Sequence, residues 1–138
     1  MELNLDEENL KLFADITQEK FEILFPEHKK NQITAEICEY FLHTKVFQME
    51  FDSDVHLYFK NNIITQIIVV PSKMRLDYDN FNANYSFDKY NEALEKLFGK
   101  SSLSFLARNK TWRLKNFTIK HYLFKRFYLE ERIEINFK

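Results

Sequence analysis

The sequence predicts an α+β fold in which N-terminal helices and one longer helix accompany an antiparallel sheet. Apolar residues recur with helical spacing before residue 26 and again over 87–98. From residue 45 to residue 70, and again beyond residue 110, they recur at every second position. Successive strand patterns follow one another without an intervening helix, which favours hairpins over parallel crossovers. The 138 residues predict one domain, 1–138, large enough for a full core.

The first two helices are predicted from their caps. Asp6 can cap a helix over 7–14, because a side-chain oxygen at this position accepts from a free backbone amide. Thr17 can cap a second helix, which Pro26 ends. The apolar stripe predicted for the second helix consists of Phe21, Leu24 and Phe25.

Residues 33–42, ITAEICEYFL, fit either a helix or a strand. Ile33, Ile37 and Phe41 have helical spacing, whereas Ile33, Ala35 and Ile37 alternate as in a strand. We expect a helix. After residue 45 the period is two, since Phe47, Met49 and Phe51 alternate with polar residues.

A hairpin is predicted over 55–70, because Asn61 and Asn62 separate two β-rich runs and asparagine tolerates left-handed backbone. Pairing Lys60 with Ile63 divides the side chains between two faces, both partly apolar, so the hairpin should be central. One face is predicted to carry Val55, Leu57, Phe59, Ile64 and Ile68; the other is predicted to carry His56, Tyr58, Ile63, Thr65 and Ile67.

The clearest helix is predicted over 87–98, after Pro71 has ended the preceding strand. Ser86 is its expected cap, and Gly99 is the expected residue just past its end. Its apolar stripe consists of Tyr90, Ala93, Leu94, Leu97 and Phe98.

The C-terminal residues predict a β-meander. Apolar residues occupy alternate positions from Phe127 to Phe137, but Glu131 interrupts the row. A turn at Glu131-Arg132 would align YLEERIE with YFKNNII and make the chain a degenerate helix–meander repeat. The alternative is one uninterrupted strand with a bulge, or with Glu131 facing the rim of the sheet.

The same C-terminal stretch interleaves aromatic with basic residues, a pattern typical of surfaces on which nucleic-acid bases stack. The alternation assigns most of these aromatics to the core, and the net charge is −1, so we expect no specific nucleic-acid ligand. The alternative function is a small nucleic-acid-binding or regulatory protein that uses the basic aromatic strands around Tyr122, Phe124 and Arg126.

Charge is distributed unevenly along the chain. Residues 1–99 hold 10 Lys/Arg and 18 Asp/Glu, whereas residues 100–138 hold 10 and 3. Either basic strands lie beside acidic helices, or the molecule has two poles, one of which steers a charged partner.

No catalytic set is visible in the sequence. The one glycine excludes Gly-rich phosphate loops, nucleophile elbows and dinucleotide fingerprints. The four histidines lack metal-ligand spacing. We therefore expect a non-enzymatic protein with no cofactor and no metal site.

The best candidate for partner recognition is 71–85, PSKMRLDYDNFNANY, which is long for a loop within one domain. It combines acidic and aromatic residues, the types that steer and anchor a protein partner. The predicted partner-binding residues are Asp77, Tyr78, Asp79, Phe81 and Tyr85 from this segment, together with Asp52 and Asp54.

The sequence predicts a cytoplasmic protein. Its N-terminus is acidic, unlike a secretory signal, and no apolar run approaches the roughly 20 residues of a membrane span. Cys38 is the single cysteine, which fits a reducing compartment.

These features together resemble the small, glycine-poor immunity proteins of bacterial toxin–immunity pairs. The resemblance rests on size, the α+β pattern, the acidic aromatic segment and the lack of a catalytic motif. It implies a protein inhibitor whose partner is a toxin domain, blocked by tight binding. A toxin with a basic active-site cleft, such as a nuclease, would suit the acidic segment.

Overall fold

The computed structural model describes residues 2–71, 80–101, 109–125 and 129–138. Three helices and eight strands occur within these ranges. The helices are α1 (Glu7–Phe13), α2 (Gln18–Leu24) and α3 (Asn80–Phe98). The strands are β1 (Glu2–Leu3), β2 (Lys29–Gln32), β3 (Ile37–Val46), β4 (Asp52–Lys60), β5 (Ile63–Pro71), β6 (Asn109–Arg113), β7 (Phe117–Lys125) and β8 (Leu129–Phe137).

The strands form a single sheet in the order β1-β3-β4-β5-β8-β7-β6, with β2 paired to β3. Among the described pairings, only β1 with β3 is parallel. Six of the eight strands form two three-stranded meanders, β3-β4-β5 and β6-β7-β8, which meet where β5 pairs with β8, and β1 and β2 both pair with β3. Each meander follows a helical segment, so the predicted α+β fold is confirmed, and helix followed by meander occurs twice in the element order.

All three helices contribute to one core on one face of the sheet, here called the inner face. Every second strand residue points into this core, which gives the alternating burial of β3, β4 and β5. The largest buried side chains are Trp112, Tyr40 and Phe21. Leu94 is fully buried, which confirms the amphipathic pattern predicted for the long helix.

Caps and turns lie where their residue types predict them. The Asp6 carboxylate accepts from the Asn9 amide at 2.8 Å, and the Thr17 hydroxyl accepts from the Lys20 amide at 3.2 Å. The hairpin turn places Asn61 and Asn62 at φ 50° and 70°. Gly99 ends α3 at φ 83°, a conformation that a side chain would disfavour.

The expectation of a helix over 33–42 is wrong. Ile37 begins strand β3, which continues to Val46 and pairs with β4 along its length. The Thr34 hydroxyl accepts from the amides of Glu36 and Ile37, and so forms the turn before the strand. Pairing in the middle of the sheet overrides the helical spacing of the apolar residues.

The strand pattern expected through Phe51 ends earlier, because β3 turns into β4 there. Phe47 and Gln48 have φ values of 54° and 60°, which reverse the chain. The predicted faces of the 55–70 hairpin also need one correction. Tyr58 pairs with Gln66 and Phe59 with Ile64, so the register shifts between them. This bulge turns Ile67 inward and Ile68 outward, opposite to the prediction.

The long helix begins at Asn80, so Ser86 lies inside α3 and is not its cap. The Ser86 hydroxyl donates to the Glu131 carboxylate at 2.5 Å, a tertiary contact that local sequence cannot reveal. Residues 80–85 therefore belong to a helix, and the predicted loop narrows to 72–79, which lie outside the described residues.

The turn predicted at Glu131-Arg132 is also wrong. Strand β8 is uninterrupted from Leu129 to Phe137, as in the alternative, and pairs with β7 in constant register. Glu131 is neither bulged nor at the rim. It occupies the inner row with Ile133 and Ile135 and is 1 % exposed.

Candidate functional site

Of the candidate partner-binding residues, the structure describes the side chains of Asp52 and Asp54, which lie at the sheet end where β5 finishes. Ser53 pairs with Pro71 and Asp54 with Val70, so both aspartates lie beside the last residues of β5. Asp77, Tyr78 and Asp79 lie outside the described residues. Phe81 and Tyr85 fall within α3, and the structure does not describe their side chains.

His43 lies between the two aspartates on the outer face of the sheet, opposite the helices. Its Nδ1 is 2.8 Å from Asp54 Oδ1, and its Nε2 is 3.7 Å from Asp52 Oδ2. Asp54 is 4 % exposed, whereas the side chains of His43 and Asp52 are about half exposed. Asp52 and His43 are therefore the members of this group that a partner can reach.

The inner face at the same sheet end holds a buried polar pair. Ser53 Oγ and Tyr90 OH, on β4 and α3, are 3.0 Å apart. Burial, more than the nearby carboxylates of Glu131 and Asp52, raises the pKa of Tyr90 to about 12. The phenol therefore stays neutral at physiological pH and ties the helix to the first meander.

A second buried group, Ser86–Glu131–His121, ties α3 to the other meander. His121 Nε2 and Glu131 Oε2 are 2.5 Å apart, and both side chains are fully buried. The Phe87 ring stacks on the imidazole at a centroid distance of 4.1 Å. His121 Nδ1 has no hydrogen-bond partner among the described residues. The group therefore joins α3, β7 and β8 through directional contacts as well as through packing.

The group contains a serine, a histidine and a carboxylate, but not in the order that nucleophilic catalysis requires. Ser86 donates to Glu131, not to His121, so the histidine is not placed to take the proton of the hydroxyl. No group of three or more His, Cys, Asp or Glu in the described ranges is arranged to hold a metal ion. The arrangement therefore positions α3 on the second meander.

Sequence reasoning missed both polar groups for one reason. In each strand the polar residue replaces an apolar one in the inner row: His121 follows Phe117 and Ile119, and Glu131 precedes Ile133. A charged residue in register with a buried row, as Glu131 is, can indicate a buried polar group. The sequence instead favours a turn at Glu131, because an unpaired buried carboxylate is costly and nothing in the sequence shows that His121 on β7 is its partner.

The outer face of the sheet carries aromatic and charged residues side by side. The Arg132 guanidinium lies 5.0 Å from the Phe124 ring centroid, and Tyr122 donates to Glu134 at 2.6 Å. Burial is also the main cause that raises the pKa of Tyr122 to about 12. Further along the same face are Glu39, Phe41, His56 and Tyr58.

Comparison of the chain with protein-family models, with curated proteins and with solved structures finds no match. No helix in the described part of the chain is long and apolar enough to cross a membrane.

Proposed function

We propose that this chain is a non-catalytic binding protein of the immunity or inhibitor type, which neutralises a toxin or enzyme by tight binding. Its partner is a protein with a basic surface. The chain itself acts in the cytoplasm. The binding surface, here called the acidic sheet end, comprises Asp52 and Asp54 on β4, together with Asp77, Tyr78 and Asp79 from the segment after β5 and Phe81 and Tyr85 from α3.

The observation that carries the proposal is the register of β4 with β5. Because Ser53 pairs with Pro71, Asp52 and Asp54 lie at the sheet end from which the chain continues into the segment that holds Asp77 and Asp79. Asp52 is about half exposed there. Carboxylates around an aromatic anchor steer a basic partner into contact, and the anchor then slows its release.

The test is recovery of the partner by pull-down from the native organism, followed by binding kinetics and an assay of the partner's own activity. One equivalent of the chain should abolish that activity. The double change Asp77→Ala, Asp79→Ala should slow association and flatten its salt dependence. Tyr78→Ala should speed dissociation by roughly thirtyfold, about 2 kcal/mol, if it is the anchor.

Two single substitutions provide a matched comparison. Asp52→Ala should slow association, whereas Glu36→Ala removes an exposed acid in the turn at the opposite end of β3 and should leave it unchanged. If all of the substitutions at the acidic end leave both rates unaltered, this end is not the binding surface. If the partner keeps its activity when fully bound, the inhibitor function is wrong.

The outer face of the sheet favours a second candidate function, single-stranded nucleic-acid binding. Tyr122, Phe124 and Arg132 lie together on this face, as a base-stacking surface requires. Against it, Glu39, Asp54 and Glu134 share the face and would repel phosphates. We therefore expect at most weak binding that disappears as salt rises. Submicromolar binding in an anisotropy titration, lost in Phe124→Ala, would favour the nucleic-acid function instead.

A further inference from the structure

We propose that the groove between α1 and α2 is a docking site for a basic amphipathic helix of a partner protein. This surface shares no residue with the acidic sheet end, so the inference is independent of the proposed inhibitor function.

The groove is a cavity of about 470 Å³ with a mostly apolar lining. Phe13 and Phe25 stack at its base, with a centroid distance of 6.1 Å, and Leu3 and Ile16 are buried beside them. Polar side chains, Asn4, Asn9, Asp15 and Lys20, lie at its margin. This volume is within the range of pockets that hold a ligand or an anchoring side chain.

Apolar side chains around the groove are left unusually exposed. Leu12 on α1 is 71 % exposed, and Leu24 on α2 is 55 % exposed; both line the cavity. Ile23, next to Leu24, is 72 % exposed. The sequence predicted that Leu24 would pack with Phe21, but it faces the groove. Clustered apolar exposure beside a concave surface is typical of interaction sites.

Charge complementarity selects the partner. Residues 6–30, which hold the two helices, carry seven acidic residues and four lysines, a net charge of −3: Asp6, Glu7, Glu8, Asp15, Glu19, Glu22 and Glu27, with Lys11, Lys20, Lys29 and Lys30. Lys11 pairs with Glu7 at 3.7 Å and Lys30 with Glu22 at 3.1 Å, and the two charged residues that line the groove, Asp15 and Lys20, also balance. The net negative charge therefore comes from the acids around the groove, and it favours a helix with leucine-type residues on one face and lysine or arginine on the other.

The test uses the full chain and a labelled synthetic helix of about 14 residues, four turns, built from leucine and lysine. A second peptide keeps the leucine face and replaces each lysine with glutamate. Anisotropy titrations should show binding of the basic peptide and at least about tenfold weaker binding of the acidic one. The affinity for the basic peptide should fall as salt rises.

Matched variants locate the site. The double change Leu12→Ser, Leu24→Ser should weaken binding by roughly tenfold or more, because two exposed apolar contacts are lost. Ile63→Ser is the control, since Ile63 is also an apolar residue, 60 % exposed, but lies at the hairpin turn of β4 and β5. Unchanged melting temperatures would show that each variant folds.

Several outcomes would overturn the inference. Binding that is equal for both peptides, or unaffected by Leu12→Ser, Leu24→Ser, would show that the groove is not the site or that charge does not select the partner. Sedimentation that shows a dimer, converted to a monomer by the same double change, would assign the groove to a second copy. Adsorption to neutral lipid vesicles, lost in the same variant, would assign it to a membrane surface.

Discussion

The two meanders share a topology but fill their cores differently. Beneath α2 the first meander packs aromatic rings: Phe21 lies 4.9 Å from Tyr40 and 5.7 Å from Phe59 between ring centroids. Beneath the first half of α3 the second meander has a carboxylate and an imidazole, which are joined to each other and to the Ser86 hydroxyl of α3 by hydrogen bonds.

The position of each polar atom explains the difference. The Tyr40 hydroxyl leaves the core and donates to Glu22 at 2.6 Å, so its ring is buried while its polar tip meets a surface residue. The side chains of Glu131 and His121 do not reach the surface, so each relies on the other as a hydrogen-bond partner. The stability of the first core therefore depends mainly on apolar contact area. The stability of the second core depends on contact area and also on the hydrogen bonds among its buried polar side chains, all of which must be made.

The largest effect should come from breaking the buried pair. Glu131→Ala leaves His121 and Ser86 without their shared acceptor and opens a cavity, so the free energy of unfolding should fall by about 3–5 kcal/mol. A urea titration followed by circular dichroism measures this loss.

The control is Glu131→Gln, which keeps the shape and one acceptor oxygen and should lose clearly less than Glu131→Ala. If Glu131→Gln costs nothing although Glu131→Ala is costly, the side chain acts by filling space and not as a charged acceptor, and the contrast between the two meanders disappears.

The second prediction tests the apolar contact that α3 makes with the same core. Leu94 is fully buried, so Leu94→Ala should lower the free energy of unfolding by about 2–5 kcal/mol through lost transfer energy and a cavity. Leu97→Ala, at a partly buried position of the same stripe, should cost less. A loss below about 0.5 kcal/mol for Leu94→Ala would contradict the packing of α3 on the sheet.

Local signals predicted much of this fold. Asp6, Thr17, Asn61 and Gly99 act through neighbouring backbone, so their roles are encoded within a few residues. The errors at 33–42, Ile67, Ser86 and Glu131 have a different origin. Each of these positions is decided by another element of the fold. Residues 37–42 pair with β4, and a bulge in the pairing of β5 with β4 turns Ile67 inward. Ser86 bonds to the Glu131 carboxylate on β8, and Glu131 bonds to the His121 imidazole on β7. Spacing within one segment does not show that partner.

For the candidate site, too, the sequence shows the residue types but not their positions in the fold. The acidic types at Asp52 and Asp54 were readable, but their position beside Pro71 depends on strand register. His43, which contacts both, was missed because it follows directly on the segment 33–42, which was expected to be a helix, and because it belongs to no motif. Exposed Leu24 was predicted in one apolar stripe with Phe21 and Phe25, since spacing gives a helix face but not what covers it.

The third prediction concerns the contact between α3 and the first meander at alkaline pH. Burial raises the pKa of Tyr90 to about 12 from a usual value of 10.0, so the unfolded chain loses this proton first as pH rises. Stability contributed by the neutral phenol is complete below pH 10 and is lost between about pH 10 and 12, on the order of 2 kcal/mol. Tyr90→Phe should flatten this alkaline fall in melting temperature. An unaltered slope would show that Tyr90 does not titrate differently in the folded state.

The smallest effect is expected at acid pH. It concerns the contact between the first meander and a carboxylate at the surface. The hydrogen bond from Tyr40, followed by the contact with Lys30, holds the pKa of Glu22 below its usual value of 4.5. A lowered pKa in the folded state means that the stabilisation is complete above pH 4.5 and disappears as pH falls below it. Because Glu22 is close to solvent, screening keeps the effect small.

Glu22→Gln and Tyr40→Phe should each make the loss of melting temperature below pH 4.5 shallower, whereas Glu19→Gln, which changes an exposed acid on the same helix, should not. If Glu19→Gln and Glu22→Gln change the acid slope equally, the effect is one of net charge, and the Tyr40 hydroxyl does not link this core to the surface.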